Sequence, residues 1–148
     1  MRKRSQVPLE HEMDTAEHEI TPRIRVLLVD DNVVFRRTIL SVLRPYPDLD
    51  VVGEASDGNE AVQMAARLQA AVVLMDVHLG RAMDGIAATR LLTNQCPRVA
   101  VLGLSWDTRE YVASAMHQAG AIDVLAKEQT ADEVHQAIVS AVASMSDA

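Results

Sequence analysis

Three carboxylates, one hydroxyl and one ammonium stand at the ends of short apolar runs in this chain. IRVLLVDDN carries Asp30 and Asp31, AAVVLMD ends on Asp76, RVAVLGLS ends on Ser105 and AIDVLAK ends on Lys127, while a fifth run, DVVGEA, ends without such a residue. In a parallel sheet the C-terminal strand ends line one crevice, where ligands bind. Gathered there, these groups would hold a divalent cation and a phosphoryl group. Clustered carboxylates repel one another and raise one another's pKa. A hard cation relieves that, and Mg2+ takes only one or two carboxylates while keeping several waters. Mg2+ at Asp30, Asp31 and Asp76 is therefore the expected cofactor. Asp30 and Asp31 could instead cap a helix starting near Val33, but a cap needs one acid. The Asp76 carboxylate can accept a phosphoryl group as an acyl phosphate. Transfer then depends on positioning and on neutralising the equatorial oxygens. Mg2+, Lys127 and Ser105 would each cover one. Singly, Ser105 reads as an ordinary strand-end residue and Lys127 reads either way; the combination carries the chemistry.

The elements that must position these residues alternate short apolar runs with amphipathic segments, the pattern of a parallel sheet covered by helices on both faces. Strands are expected at about Ile24–Asp30, Val51–Ala55, Val72–Asp76, Val99–Leu104 and Ile122–Leu125. Helices are expected at about Val33–Arg44, Asn59–Leu68, Gly85–Thr93, Thr108–Ala119 and Ala131–Ser144. Pro45 and Pro47 end the first helix. Asp57 with Glu60, Asp107 with Glu110 and Thr130 with Glu133 have capping-box spacing. Gly120 stands where a left-handed cap is wanted. The central runs are apolar without alternation, as in strands covered on both faces.

The 148 residues suggest one domain. Residues 1–22 are polar and without periodicity and read as a flexible extension. Residues 23–146 form the domain. The single Cys96 excludes an intrachain disulfide, no apolar run is long enough to cross a bilayer, and no apolar stretch follows the basic N-terminus as in a secretory signal. A cytoplasmic location without membrane contact is expected. A net charge of −7 argues against direct nucleic-acid binding. His11 and His18 lie in the extension. His117 and His135 have no ligand spacing, and Cys96 has no base partner nearby in sequence.

The stretches LLVDDN, VVGEASDGNEAV, VVLMDV, MDGIAATR, VLGLS and GAIDVLAKE resemble a response-regulator receiver domain of two-component signalling from Arg25 to about Val142. DLDVVGEASDGNEAV, and Lys127 followed by Glu128, look most like the NarL/FixJ class. The resemblance implies a flavodoxin-like doubly wound five-stranded α/β sheet of order 2-1-3-4-5 with five helices. It implies that Asp76 accepts a phosphoryl group from a sensor histidine kinase or histidine phosphotransfer protein. It also implies Mg2+ on Asp31 directly, on Asp30 mostly through water, and on the His78 backbone carbonyl. Ser105 would be the switch hydroxyl and Lys127 the phosphoryl partner. Such a domain is a phosphoacceptor with slow autodephosphorylation rather than an enzyme.

Three features depart from the family pattern. The loop VHLGRAMDG has one residue more than usual, and Gly80 stands where proline is common. Val124 replaces the aromatic usual three residues before Lys127, which removes aromatic rotation as a switch. Trp106 replaces a small residue after Ser105; it either narrows the entrance, contacts a partner or folds over its loop. Tyr111 is a candidate surface aromatic nearby. Because the chain stops at Ala148, the expected output is a phosphorylation-dependent contact with another protein through the fourth helix, fifth strand and fifth helix, homodimerisation being one option. The alternatives are a phosphorylation-independent binding module, the receiver part of a NarL/FixJ-type DNA-binding regulator, and an unrelated enzyme on the same fold such as an acyl-phosphate hydrolase.

Overall fold

The computed structural model describes residues 22–80 and 83–146. The expected flexible extension, apart from Pro22, lies outside the described residues, as do Arg81 and Ala82 of the long loop. In chain order the elements are β1 Ile24–Val29, α1 Val33–Leu43, β2 Leu49–Ala55, α2 Gly58–Leu68, β3 Val72–Asp76, α3 Gly85–Gln95, β4 Ala100–Ser105, α4 Glu110–Ala119, β5 Asp123–Ala126 and α5 Ala131–Ser146. All strand pairs are parallel, and the order is β2-β1-β3-β4-β5. The expected flavodoxin-like arrangement is the one observed.

The unbroken apolar strands feed two cores. Leu27, Val29, Val73, Met75 and Val101 point to one face, against Ala61 and Ala65 of α2, Leu92 of α3 and Met116 of α4. Val26, Leu28, Leu74, Leu102 and Leu104 point to the other, against Ile39 and Leu43 of α1 and Val134 and Ile138 of α5. Successive strand side chains face opposite ways, so a strand buried on both faces must be apolar throughout.

The helix starts are set by side chains. Asn32 caps α1, its side chain accepting the Val34 and Phe35 N–H groups. That excludes capping as the role of Asp30 and Asp31. Asp57 accepts the Glu60 N–H, although Glu60 reaches the Ser56 N–H rather than that of Asp57. Thr130 and Glu133 exchange bonds at 2.8 and 3.2 Å as a reciprocal box. The box expected at Asp107 and Glu110 is not formed. Arg109 is the N-cap residue of α4, without a side-chain cap bond, because Asp107 instead accepts the Arg109 backbone and guanidinium. The helix therefore starts at Glu110 rather than Thr108. Gly120 ends α4 at φ 112°, with its N–H bonded to His117 and Met116 carbonyls.

Gly85 brings α3 against the end of β3. Its N–H donates to the Val77 carbonyl at 3.1 Å. A Cβ at this position would sit 2.1 Å from the Asp76 carbonyl oxygen, so only glycine allows this approach.

Candidate functional site

Strands β1, β3, β4 and β5 end at one edge of the sheet, and each delivers one of the expected polar groups there. Asp30 directly follows β1 and is 2% exposed. Its Oδ1 accepts the Asn32 N–H at 2.8 Å, and its Oδ2 accepts from Lys127 Nζ at 2.8 Å. Asp76 closes β3 and is 4% exposed. Its Oδ1 accepts the His78 N–H at 3.1 Å and lies 3.3 Å from Lys127 Nζ. Asp31 is exposed, and its Oδ2 accepts the Gly80 N–H at 3.1 Å. A proline at position 80 could not donate that bond.

Asp30, Asp31 and Asp76 each offer a carboxylate oxygen within 4.8 Å of the others. Burial, and then the neighbouring Asp30 charge, raise the Asp76 carboxyl from 3.8 to about 6, against the opposing pull of Lys127 and the His78 N–H. Three acids facing one ammonium leave excess negative charge in a largely buried place. An all-oxygen donor set of this kind, with Asp31 open to solvent, fits a hard divalent cation.

Ser105 ends β4 and is buried. Its Oγ accepts the Asp107 N–H at 2.9 Å, and a hydroxyl that accepts in this way keeps a proton to donate. Its carbonyl accepts the Lys127 N–H at 2.9 Å, which ties the end of β4 to that of β5. His78 has an exposed ring, and only its backbone touches Asp76. Trp106 is 60% exposed, and its ring meets Phe35 edge-on at 5.7 Å.

Tyr111 and Val124 stand apart from the acids. The Tyr111 hydroxyl donates to Asp107 at 3.4 Å, and the Arg109 guanidinium lies 4.8 Å from its ring. Val124 is half-buried against the α4 side of the core, beside a cavity of about 60 Å3 that Asp107, Ala113 and Leu125 also line.

Three residues that the strand-end pattern did not single out also belong to this edge. The Arg36 guanidinium donates to the Asp30 carbonyl at 2.6 Å and to Glu54 at 2.9 Å. Glu54 also accepts from Arg37, and these bonds, that from Arg36 foremost, hold its carboxyl below the usual range. Phe35 lies under Lys127, with Nζ 4.5 Å from the ring centre. For Phe35 and Arg36 the available signal was their place in the first turn of α1, which begins just after the acids, whereas Glu54 lies in β2.

The response regulator receiver domain family matches residues 26–139. The transcriptional regulatory protein LiaR of Bacillus subtilis is 36% identical over 118 residues, covering 80% of this chain and 56% of that protein. A protein-glutamate methylesterase/protein-glutamine glutaminase of Myxococcus xanthus is 40% identical over 105 residues, covering 70% of this chain and 30% of that protein. The chain thus spans about half or less of the length of these relatives. Among solved structures, the signal receiver domain of the NarL regulator from Mycobacterium tuberculosis superimposes with a TM-score of 0.78 at 26% identity, covering 82% of this chain and 97% of that one. The sheet order, the acids at its edge and a family match across most of the described residues lead to one conclusion: this chain belongs to the response regulator receiver domain family.

Proposed function

We propose that Asp76 accepts a phosphoryl group from the phosphohistidine of a sensor histidine kinase or a histidine phosphotransfer protein. The observation that carries this reading is the convergence of Asp76, Asp30 and Lys127 from three strands, with Nζ within 3.3 Å of both carboxylates. In the transfer, an Asp76 carboxylate oxygen bonds to phosphorus. The phosphorus–nitrogen bond breaks, and its electron pair stays on the imidazole. Lys127 moves from the Asp76 oxygen to a phosphoryl oxygen. Ser105 donates its free O–H to another.

Asp31, Asp76 and the His78 backbone carbonyl would hold Mg2+ directly, and Asp30 would act on it through water. When bound, Mg2+ neutralises charge on the phosphoryl oxygens. The chain is a stoichiometric acceptor in this reading, with slow hydrolysis of the aspartyl phosphate. Its output is a phosphorylation-dependent contact with another protein, or with a second copy, through α4, β5 and α5. A cytoplasmic setting fits. Among the described residues no helix is long and apolar enough to cross a membrane, and the net charge of −7 disfavours direct nucleic-acid contact.

One observation favours a second reading, a binding module that works without phosphate: Val124 offers no aromatic ring to rotate. Intact mass after incubation with Mg2+ and acetyl phosphate separates the two. The phosphoacceptor reading expects a phosphoryl-sized gain that Asp76→Ala abolishes. No gain from acetyl phosphate or from a phosphohistidine donor would leave the binding module.

A further inference from the structure

Lys127 is held on two sides by different chemistry. Toward the strand ends its ammonium meets Asp30 at 2.8 Å and Asp76 at 3.3 Å. On its other side lie Phe35, 4.5 Å from Nζ to the ring centre, and Trp106, at 5.9 Å. The two rings touch edge to face, with centres 5.7 Å apart and planes at 65°. They come from different elements, Phe35 from the first turn of α1 and Trp106 from the residue after β4. The Lys127 side chain is only 5% exposed, although Trp106 beside it is 60% exposed. An ammonium is attracted to ring faces, and an edge-on pair of rings has its own mutual preference.

We propose that Phe35 and Trp106 form a two-part aromatic lid, anchored on the Lys127 ammonium, that shields the Asp76 acyl phosphate from water and so sets its lifetime. The inference rests on the phosphoacceptor reading above. Hydrolysis forms a bond from a water oxygen to phosphorus and breaks the bond from phosphorus to the Asp76 oxygen. The carboxylate is restored, and the water protons leave on inorganic phosphate. That water must reach phosphorus through the open mouth of the crevice, and in this proposal the two rings beside Lys127 narrow that mouth with apolar surface. Both rings lie against Lys127 and so are positioning residues, acting through its ammonium and through exclusion of water.

The test is the half-life of the aspartyl phosphate in the full chain, loaded with acetyl phosphate and Mg2+, freed of donor and followed by intact mass. Trp106→Ala should shorten it on the order of three- to tenfold, the size of one lost cation–ring contact, and Trp106→Phe should restore most of it. Phe35→Leu keeps apolar bulk in α1 but removes the ring face, and should shorten the half-life as well. Hydroxylamine attacks the Asp76 acyl carbon rather than phosphorus, so its cleavage rate should change less than that of hydrolysis, whereas a general loosening of the fold would quicken both. Equal half-lives in wild type and Trp106→Ala overturn the lid alone. A wild-type chain that gains no mass from any phosphodonor overturns the phosphoacceptor reading and the lid with it.

Discussion

At the residue scale, the site is a conflict between charges that the fold does not resolve by itself. Asp76 and Asp30 are both buried, share one ammonium, and sit close enough to repel. Burial and Asp30 raise the Asp76 pKa from 3.8 to about 6. A folded-state value above the unfolded one means that the folded state binds more protons across that window. Stability therefore falls as pH rises from about 4 through about 6, and the full cost is present above 6. Asp76→Asn removes the charge but keeps the shape. It is expected to stabilise the metal-free protein at pH 7.5 by roughly 1–3 kcal/mol, with the gain shrinking toward zero near pH 4. Urea denaturation at the two pH values checks this. A gain that does not change with pH would mean that the asparagine acts by something other than relief of charge. The same unresolved repulsion made the site legible from residue types alone, because acids at adjoining strand ends have few structural uses. Phe35 and Arg36 were less legible. An aromatic and an arginine in a first helical turn are ordinary, and only the folded geometry shows that they reach Lys127 and the Asp30 carbonyl.

At the element scale, strands and helices followed from apolar runs and helix-capping residues, with ends shifted by one or two residues. The shifts have causes. β2 starts at Leu49 rather than Val51 because Ile24 and Arg25 of β1 pair with Leu49 and Asp50. α4 starts late because Asp107 is engaged by Arg109. Such choices depend on which of two nearby partners wins, and spacing alone does not rank them. Gly85 shows a constraint that no periodicity reveals: the start of α3 presses on the peptide of Asp76. A Cβ there would lie 2.1 Å from the Asp76 carbonyl oxygen and 2.8 Å from Val77 Cα. Backbone cannot yield as a side chain can, so α3 or the end of β3 must move. Gly85→Ala is expected to cost about 1–3 kcal/mol of stability and to reduce phosphoryl acceptance by displacing Asp76. Gly80→Ala is the control, since among the described residues its Cβ would meet only the Asp31 carboxylate, at 3.2 Å. A Gly85→Ala protein with a wild-type urea midpoint would show that α3 can shift freely against β3.

At the scale of the whole molecule, Lys127 acts as an electrostatic strap across the sheet. It follows β5, the edge strand, yet its ammonium reaches over β4 to the ends of β3 and β1. The two cores hold the strands from above and below, so the site edge is where charge balance decides local stability. Removing one partner of a buried charged set leaves the others uncompensated. Lys127→Ala leaves Asp30 and Asp76 facing each other with the ammonium gone, and should lower the melting temperature of the metal-free protein. A ligand that binds only the folded state stabilises it by RT ln(1 + [L]/Kd), about 2.7 kcal/mol at a hundred times Kd. For a chain of this size each kcal/mol moves the melting temperature by roughly 2–4 °C. Saturating Mg2+ should thus raise the wild-type melting temperature by several degrees at pH 7.5. It should raise that of Lys127→Ala by more, because the cation then supplies the only positive charge between the two buried carboxylates. Asp31→Asn should lose most of the gain, since it removes an oxygen from the set without touching the strap. Thermal melts of the three proteins with and without Mg2+ measure all of this at once. Equal gains in wild type and Lys127→Ala would mean that the ammonium and the metal do not compete for the same negative charge, and the strap would then be a packing device rather than an electrostatic one.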